Sequence, residues 1–151
     1  MVITVASGKG GTGKTSVAIN LARMATESGY AVQVMDADVE APNIHLFLNP
    51  EMKTESVINA LVPKVDESVC TLCGTCSDVC EFQAIGVFGT SILVFPELCH
   101  SCGGCVLACP EKAITEIEYP IGTIREGIAK DSIEFIEGRL KIGEAKAPPI
   151  I

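Results

Sequence analysis

Apolar residues open the chain in three runs. Val2 to Ala6 is short, rich in β-branched residues and followed by glycines, which predicts a buried strand. From Lys14 to about Ser28, Val17, Leu21, Met24 and Ala25 recur at helical spacing, and Gly29 suits a helix C-cap. Ala31 to Met35 is a second strand-like run and ends at Asp36. Strand, helix and strand in this order predict a parallel βαβ unit with a right-handed crossover. Met24 and Met35 are expected in its core. After Pro42 the pattern loosens, and Pro50 and Pro63 punctuate it. Near the end, Ser132 to Ile136 and Arg139 to Ile142 read as two strands joined at Gly138, and Pro148-Pro149 closes any regular element.

Between about Val62 and Pro120 the pattern repeats itself. Cys70, Cys73, Cys76 and Cys80 are spaced C-x2-C-x2-C-x3-C, and Cys99, Cys102, Cys105 and Cys109 follow with the same spacing. Apolar partners share the offset: Val65 and Val69 match Val94 and Leu98, and Ala84-Ile85 matches Ala113-Ile114. The repeat predicts strand, loop, short helical turn and strand, made twice, as one small α+β domain.

All eight cysteines belong to these runs. The first residues carry no basic segment and run straight into a glycine loop, so no signal peptide is read there. Thiols without an export signal point to metal ligation in the cytoplasm rather than to disulfides. C-x2-C pairs also occur in zinc sites, which is the alternative metal. The tight runs with a fourth cysteine at x3 are those of a bacterial-type ferredoxin. In such runs the fourth cysteine ligates the other cluster. That pattern assigns Cys70, Cys73, Cys76 and Cys109 to one [4Fe-4S] cluster and Cys80, Cys99, Cys102 and Cys105 to a second. Pro110 follows Cys109 as such runs expect, whereas Glu81 follows Cys80.

The net charge is −8, from 19 acids against 11 lysines and arginines, which argues against non-specific nucleic-acid binding. No run of about 18 apolar residues is present to span a bilayer. His45 is expected to be packed or superficial, and His100 is not needed as a ligand where eight cysteines already serve two clusters.

Gly8-Lys9-Gly10-Gly11-Thr12-Gly13-Lys14-Thr15 fits G-x-x-x-x-G-K-[ST] at every fixed position, between a predicted strand and a predicted helix. Its glycines turn backbone N–H groups toward an anion, and the helix adds its positive end. Lys14 is expected on the β- and γ-phosphates of ATP and the Thr15 hydroxyl on Mg2+.

With Lys9 included, the loop resembles the deviant Walker A motif of MinD/ParA-superfamily P-loop ATPases. Together with the cysteine runs, the chain resembles members of that superfamily with an inserted two-[4Fe-4S] ferredoxin domain. The resemblance implies an α/β P-loop domain over 1–61, a ferredoxin insert over 62–120 and a return segment over 121–151. It implies that Lys9 contacts phosphate across a homodimer, that Asp38 orients the attacking water, and that Asp36 supports the Mg2+ shell. Lys9, Lys14 and Asp38 are thus the catalytic candidates.

Without 62–120 only 92 of the 151 residues remain, short for a doubly wound sheet. No D-x-P-P-G-like segment follows. An N-terminal fragment is therefore expected, with exposed strand edges and apolar helix faces, and with ATP hydrolysis assigned to the longer protein. Three functions stay open: nucleotide-gated electron transfer with an unidentified redox partner protein, iron–sulfur cluster scaffolding or carriage, and plain electron carriage with a non-functional loop.

Overall fold

The computed structural model describes residues 1–9 and 11–144. Gly10 and the Pro148-Pro149 stop lie outside the described residues. The chain forms two compact units, one of residues 1–57 and 122–140, the other of Ile58–Ile121 with residues 141–144.

The first unit is mixed α/β. Helix α1 spans Lys14–Glu27, and Gly29 takes the left-handed conformation (φ 86°) that lets the chain leave the helix without a Cβ penalty. Strand β1 is Gln33–Asp36 and helix α2 is the single turn His45–Leu48. Two strands of 15 residues follow, β2 (Glu51–Val65) and, later, β5 (Ile114–Ile128), and both run on into the second unit. Strand β6 (Glu134–Leu140) completes a sheet ordered β1-β6-β5-β2. β1 lies parallel to β6, and β6 antiparallel to β5, with Arg125 directly opposite Glu137. The core joins Ile19 and Ala22 of α1 to Val34, Ile44, Leu48, Ile133 and the fully buried Phe135.

Several expectations fail here. Val2 to Ala6 is not a strand, and Val2 is 93% exposed. β1 takes β6 on one side, and no strand among the described residues lies along its other side to supply ladder bonds. The βαβ unit is therefore not formed; the parallel neighbour of β1 comes from the far end of the chain. The apolar stripe of α1 is also misread: Val17, Leu21 and Met24 are exposed, and Ile19 and Ala22 face inward. Met35 points away from the core too, because β1 buries only alternate residues, Val34 and Asp36. Gly138 does not turn the chain. It sits inside β6 opposite Ile124, and Ile142 falls beyond the strand. Pro63 is compatible with β2 because that strand is at the sheet edge.

Gly127 of β5 is required by close approach. A Cβ built there would stand 2.5 Å from the Glu51 carbonyl oxygen and 3.0 Å from Met52 Cα, both backbone. Gly127→Ala should cost about 2–3 kcal/mol, checked by chemical unfolding followed by circular dichroism. A loss within error would show that the β2–β5 contact gives way freely.

The second unit repeats its backbone at the offset of 29. Helical turns α3 (Thr75–Asp78) and α4 (Gly104–Ala108) each start behind a left-handed glycine, Gly74 or Gly103. Positive φ recurs at Leu72 and Ser101 and at Gln83 and Lys112. β3 (Ile85–Phe88) and β4 (Ser91–Val94) form an antiparallel hairpin. Asp66 N–H donates to Ala113 O, and the equivalent Phe95 N–H donates to Ala84 O, both at 2.8 Å, as an approximate two-fold axis requires. No helix is long and apolar enough to cross a membrane among the described residues.

Candidate functional site

The glycine loop is shaped by left-handed Gly11 (φ 72°) and Gly13 (φ 88°). Its own hydroxyls tie it: Thr12 Oγ1 donates to Ser7 Oγ at 2.7 Å, and Ser7 Oγ donates to Lys9 O at 2.8 Å. Gly13 caps α1 without a side-chain bond, and the first turn carries no acid. The amides of that turn therefore remain open to an anion. Lys14 and Thr15 are the first two residues of α1 and half-buried; Gly8, Lys9, Gly11, Thr12 and Gly13 are exposed.

Asp36 and Asp38 differ in role. Asp36 is buried at the end of β1. Its Oδ1 accepts Asp38 N–H at 3.1 Å, and its Oδ2 accepts Asn43 N–H and Ile44 N–H, each at 2.9 Å. The carboxylate thereby holds the turn from 37 to 44 against the sheet. Asp38 is exposed on that turn. The turn delivers Asn43 to the loop, where Thr15 Oγ1 donates to Asn43 Oδ1 at 2.9 Å. That bond directs the hydroxyl proton away and leaves the oxygen lone pairs of Thr15 for a cation. Asn43 carries no motif signal; only folding reveals it.

Behind this turn, Glu137 is fully buried. Its Oε1 accepts from Arg125 Nε and Arg139 Nε, both at 2.8 Å, with Arg125 Nη2 in close contact as well. His45 Nδ1 lies 3.0 Å from Glu137 Oε2, an ion-pair distance without hydrogen-bond alignment, so each atom lacks a hydrogen-bond partner. Arg139 Nη2 is 3.2 Å from His45 Nε2. An arginine only donates, which assigns Nε2 as acceptor and the ring proton to Nδ1. Burial by itself pushes the Glu137 carboxyl up. Hydrogen bonds from Arg125 and Arg139 overcome that and hold it below its ordinary value.

In the second unit the cysteines surround two hollows, of about 330 Å³ and about 430 Å³ with their mouths included. Cys70, Cys73, Cys76 and Cys109 line the first; Cys80, Cys99, Cys102 and Cys105 line the second. The linings are crossed, three cysteines from one run and the fourth from the other. Backbone N–H groups point at the sulfurs: Ala84 to Cys80 and Ala113 to Cys109 at 3.3 Å, and Ser101 to Cys99 at 3.5 Å. Burial pushes the Cys76 and Cys105 thiols up, and the cysteines of their own runs add to this. The Thr75 hydroxyl, 3.4 Å from Cys73, holds that thiol down.

Among the described residues no group of three or more His, Cys, Asp or Glu side chains is placed to hold a metal ion. Four cysteines around each hollow, with an amide on Cys109 at the first and on Cys80 and Cys99 at the second, instead suit a polynuclear group with a ligand at each corner. The soft, all-thiolate donor set agrees with iron–sulfur chemistry. His100 lines the second hollow and stacks on Phe82, with ring centroids 3.7 Å apart and planes 16° apart. Neither ring has a motif signal.

Residues 3–144 match the model of the CobQ/CobB/MinD/ParA nucleotide binding domain. An uncharacterized protein of Methanocaldococcus jannaschii is 37% identical over 152 residues, covering all of this chain and 52% of that protein. An uncharacterized ATP-binding protein of the same organism is 41% identical over 66 residues, 44% of this chain and 25% of that one. An iron-sulfur cluster carrier protein of Pyrococcus abyssi is 45% identical over 49 residues, 32% of this chain and 17% of that one. The chain thus spans about half the length of the relatives it matches from end to end.

Proposed function

This chain belongs to the CobQ/CobB/MinD/ParA nucleotide-binding domain family, and from that membership we propose an ATP-binding iron–sulfur protein in which nucleotide governs electron transfer through two [4Fe-4S] clusters. One observation carries the reading: a single chain holds an open glycine-loop helix terminus and two hollows, each lined by four cysteines. In this reading the ferredoxin-type insert is the stretch 62–120, which lies within the second unit. Cys70, Cys73, Cys76 and Cys109 hold one cluster, and Cys80, Cys99, Cys102 and Cys105 hold the other. Bound there, the clusters supply one-electron chemistry.

The chain's own residues do the rest. The amides of the loop from Gly8 to Thr15, Gly10 included, cradle the ATP phosphates, and Lys14 neutralises the outer ones. Thr15 offers its hydroxyl oxygen to Mg2+, oriented by Asn43, while Asp36 supports that shell by holding the turn. Asp38 stands free to orient water. Lys9 extends from the loop toward the phosphate of a second copy in a homodimer. Hydrolysis, the homodimer, the redox partner protein and a cytoplasmic location belong to this proposal for the whole protein.

The test compares cluster potentials and partner reduction rates with and without MgATP in the iron-loaded protein. Potentials and rates indifferent to ATP would sink the gating. Lys14→Ala should weaken MgATP binding about 10- to 100-fold, since one charge-assisted hydrogen bond contributes roughly 1.5–3 kcal/mol; calorimetric titration reads this directly.

A second reading, cluster carriage, draws on the similarity to proteins called iron-sulfur cluster carriers. It predicts rapid, ATP-dependent loss of iron to an apo-acceptor. Full retention after incubation favours electron transfer.

A further inference from the structure

The two hollows share one framework, so differences between their mouths stand out. Around the second, Leu61, Val79 and Phe82 are 46%, 45% and 45% exposed, and Phe82 carries the stacked His100. Their counterparts at the offset of 29 are Thr90, Ala108 and Glu111, with Thr71 for His100. Thr71 and Glu111 line the first hollow. The exposed lining of the first mouth is Thr71, Cys73, Pro110 and Glu111, with no large apolar side chain, whereas the second has an apolar collar with an exposed aromatic pair. Solvent gives no reason to keep such a collar at one of two equivalent mouths, and clustered exposed apolar groups mark contact surfaces.

The surrounding charge says what kind of surface fits. Ile58–Ile121 carries eight acids against two lysines, a balance of −6 within a chain of −8. Asp78 and Glu81 adjoin Val79 and Phe82 in sequence, and Glu116 lines the second hollow. All three are exposed, and none of them takes part in the ion pairs that gather at Glu137. Their charge is left to act outward, where it steers a partner of opposite sign.

We propose that the collar around the second hollow is the docking face for a redox protein whose apolar contact patch is ringed by lysine and arginine. The first hollow, with no exposed large apolar side chain at its mouth, is not a docking face. The proposal rests on the iron–sulfur reading above, because only a cofactor behind Cys99 and Cys102 makes close approach to this mouth useful.

The experiment titrates the iron-loaded chain with a lysine-rich c-type cytochrome as probe at low ionic strength, with Kd read from NMR shifts. Binding is expected, weakening as salt is added. Phe82→Ala should weaken it about tenfold, and Glu81→Gln about threefold at low salt only. Leu107→Ser, at an exposed leucine that lines neither hollow, should leave it within about twofold. Iron content and visible absorption are read for every protein. A colourless parent would sink the cofactor reading and this proposal with it. Full colour without cytochrome binding would sink docking alone, as would binding indifferent to salt or equally weakened by Leu107→Ser. Self-association through Phe82 in place of cytochrome binding would also overturn it. Should Phe82→Ala lose iron, Glu81→Gln and Val79→Ser decide, and no effect from either refutes the proposal.

Discussion

Serine in place of Cys109 should empty the hollow lined by Cys70, Cys73 and Cys76, not the one lined by its own run. Cys109 lines that first hollow, and its Sγ receives the Ala113 N–H at 3.3 Å. A serine oxygen is a hard ligand with a poorly acidic proton, and it replaces soft thiolate badly. On the proposed reading of one cluster in each hollow, iron per chain should fall to about half. The remaining cluster should give the electron paramagnetic resonance spectrum left by Cys70→Ser and differ from the one left by Cys80→Ser. A Cys109→Ser spectrum matching that of Cys99→Ser instead would show that each run ligates its own cluster, against the crossed linings. Stability should fall as well, since metal binding and folding are coupled in small metal-bearing units.

The second large effect is expected at Glu137. Glu137→Gln keeps the shape but leaves Arg125 and Arg139 facing a neutral group in the core of the first unit, beside His45. Removing one member of a buried charge cluster costs about 3–5 kcal/mol, because the partners' charges lose their compensation. Hydrogen exchange of the β5 and β6 amides reads that loss locally, without assuming a single cooperative transition. The pH dependence has a definite sign. Folding lowers the carboxyl below its ordinary value of 4.5, so its contribution is fully present above that pH. It disappears as pH falls through the lower folded value. The glutamine variant should lack that acid-limb loss. Equal protection in the two proteins at neutral pH would mean that the arginines find other partners.

The cysteine hollows were legible before folding because the cysteine spacing is local. Spacings of two and three residues hold three sulfurs on one loop, and a 29-residue copy brings back the same turns, down to the left-handed Gly74 and Gly103. The glycine loop was legible for the same reason, since its φ angles and helix start are set within eight residues. Helix α1 and strand β1 were placed within about two residues, as local periodicity allows.

The failures were non-local. Which face of α1 is buried depends on what covers it, and a stripe containing Val17, Leu21 and Met24 carries no record of that. A strand exists only with a ladder partner, so Val2 to Ala6 remained single while Glu134–Leu140 took the place beside β1. Gly138 reads as a turn in isolation but pairs with Ile124 in the sheet. The 15-residue β2 was hidden by Pro63, which a sheet edge tolerates, and β5 by Pro120, which lies outside the residues paired with β6. Thus the sequence by itself determined the local geometry of the cysteine runs and the glycine loop, because both are set within a few residues. Only tertiary structure decided that Asn43 meets Thr15, that Glu137 gathers two arginines and His45, and that one hollow has an apolar mouth. Thr15 and Asn43 are 28 positions apart and His45 and Arg139 are 94 apart, and packing alone brings them together.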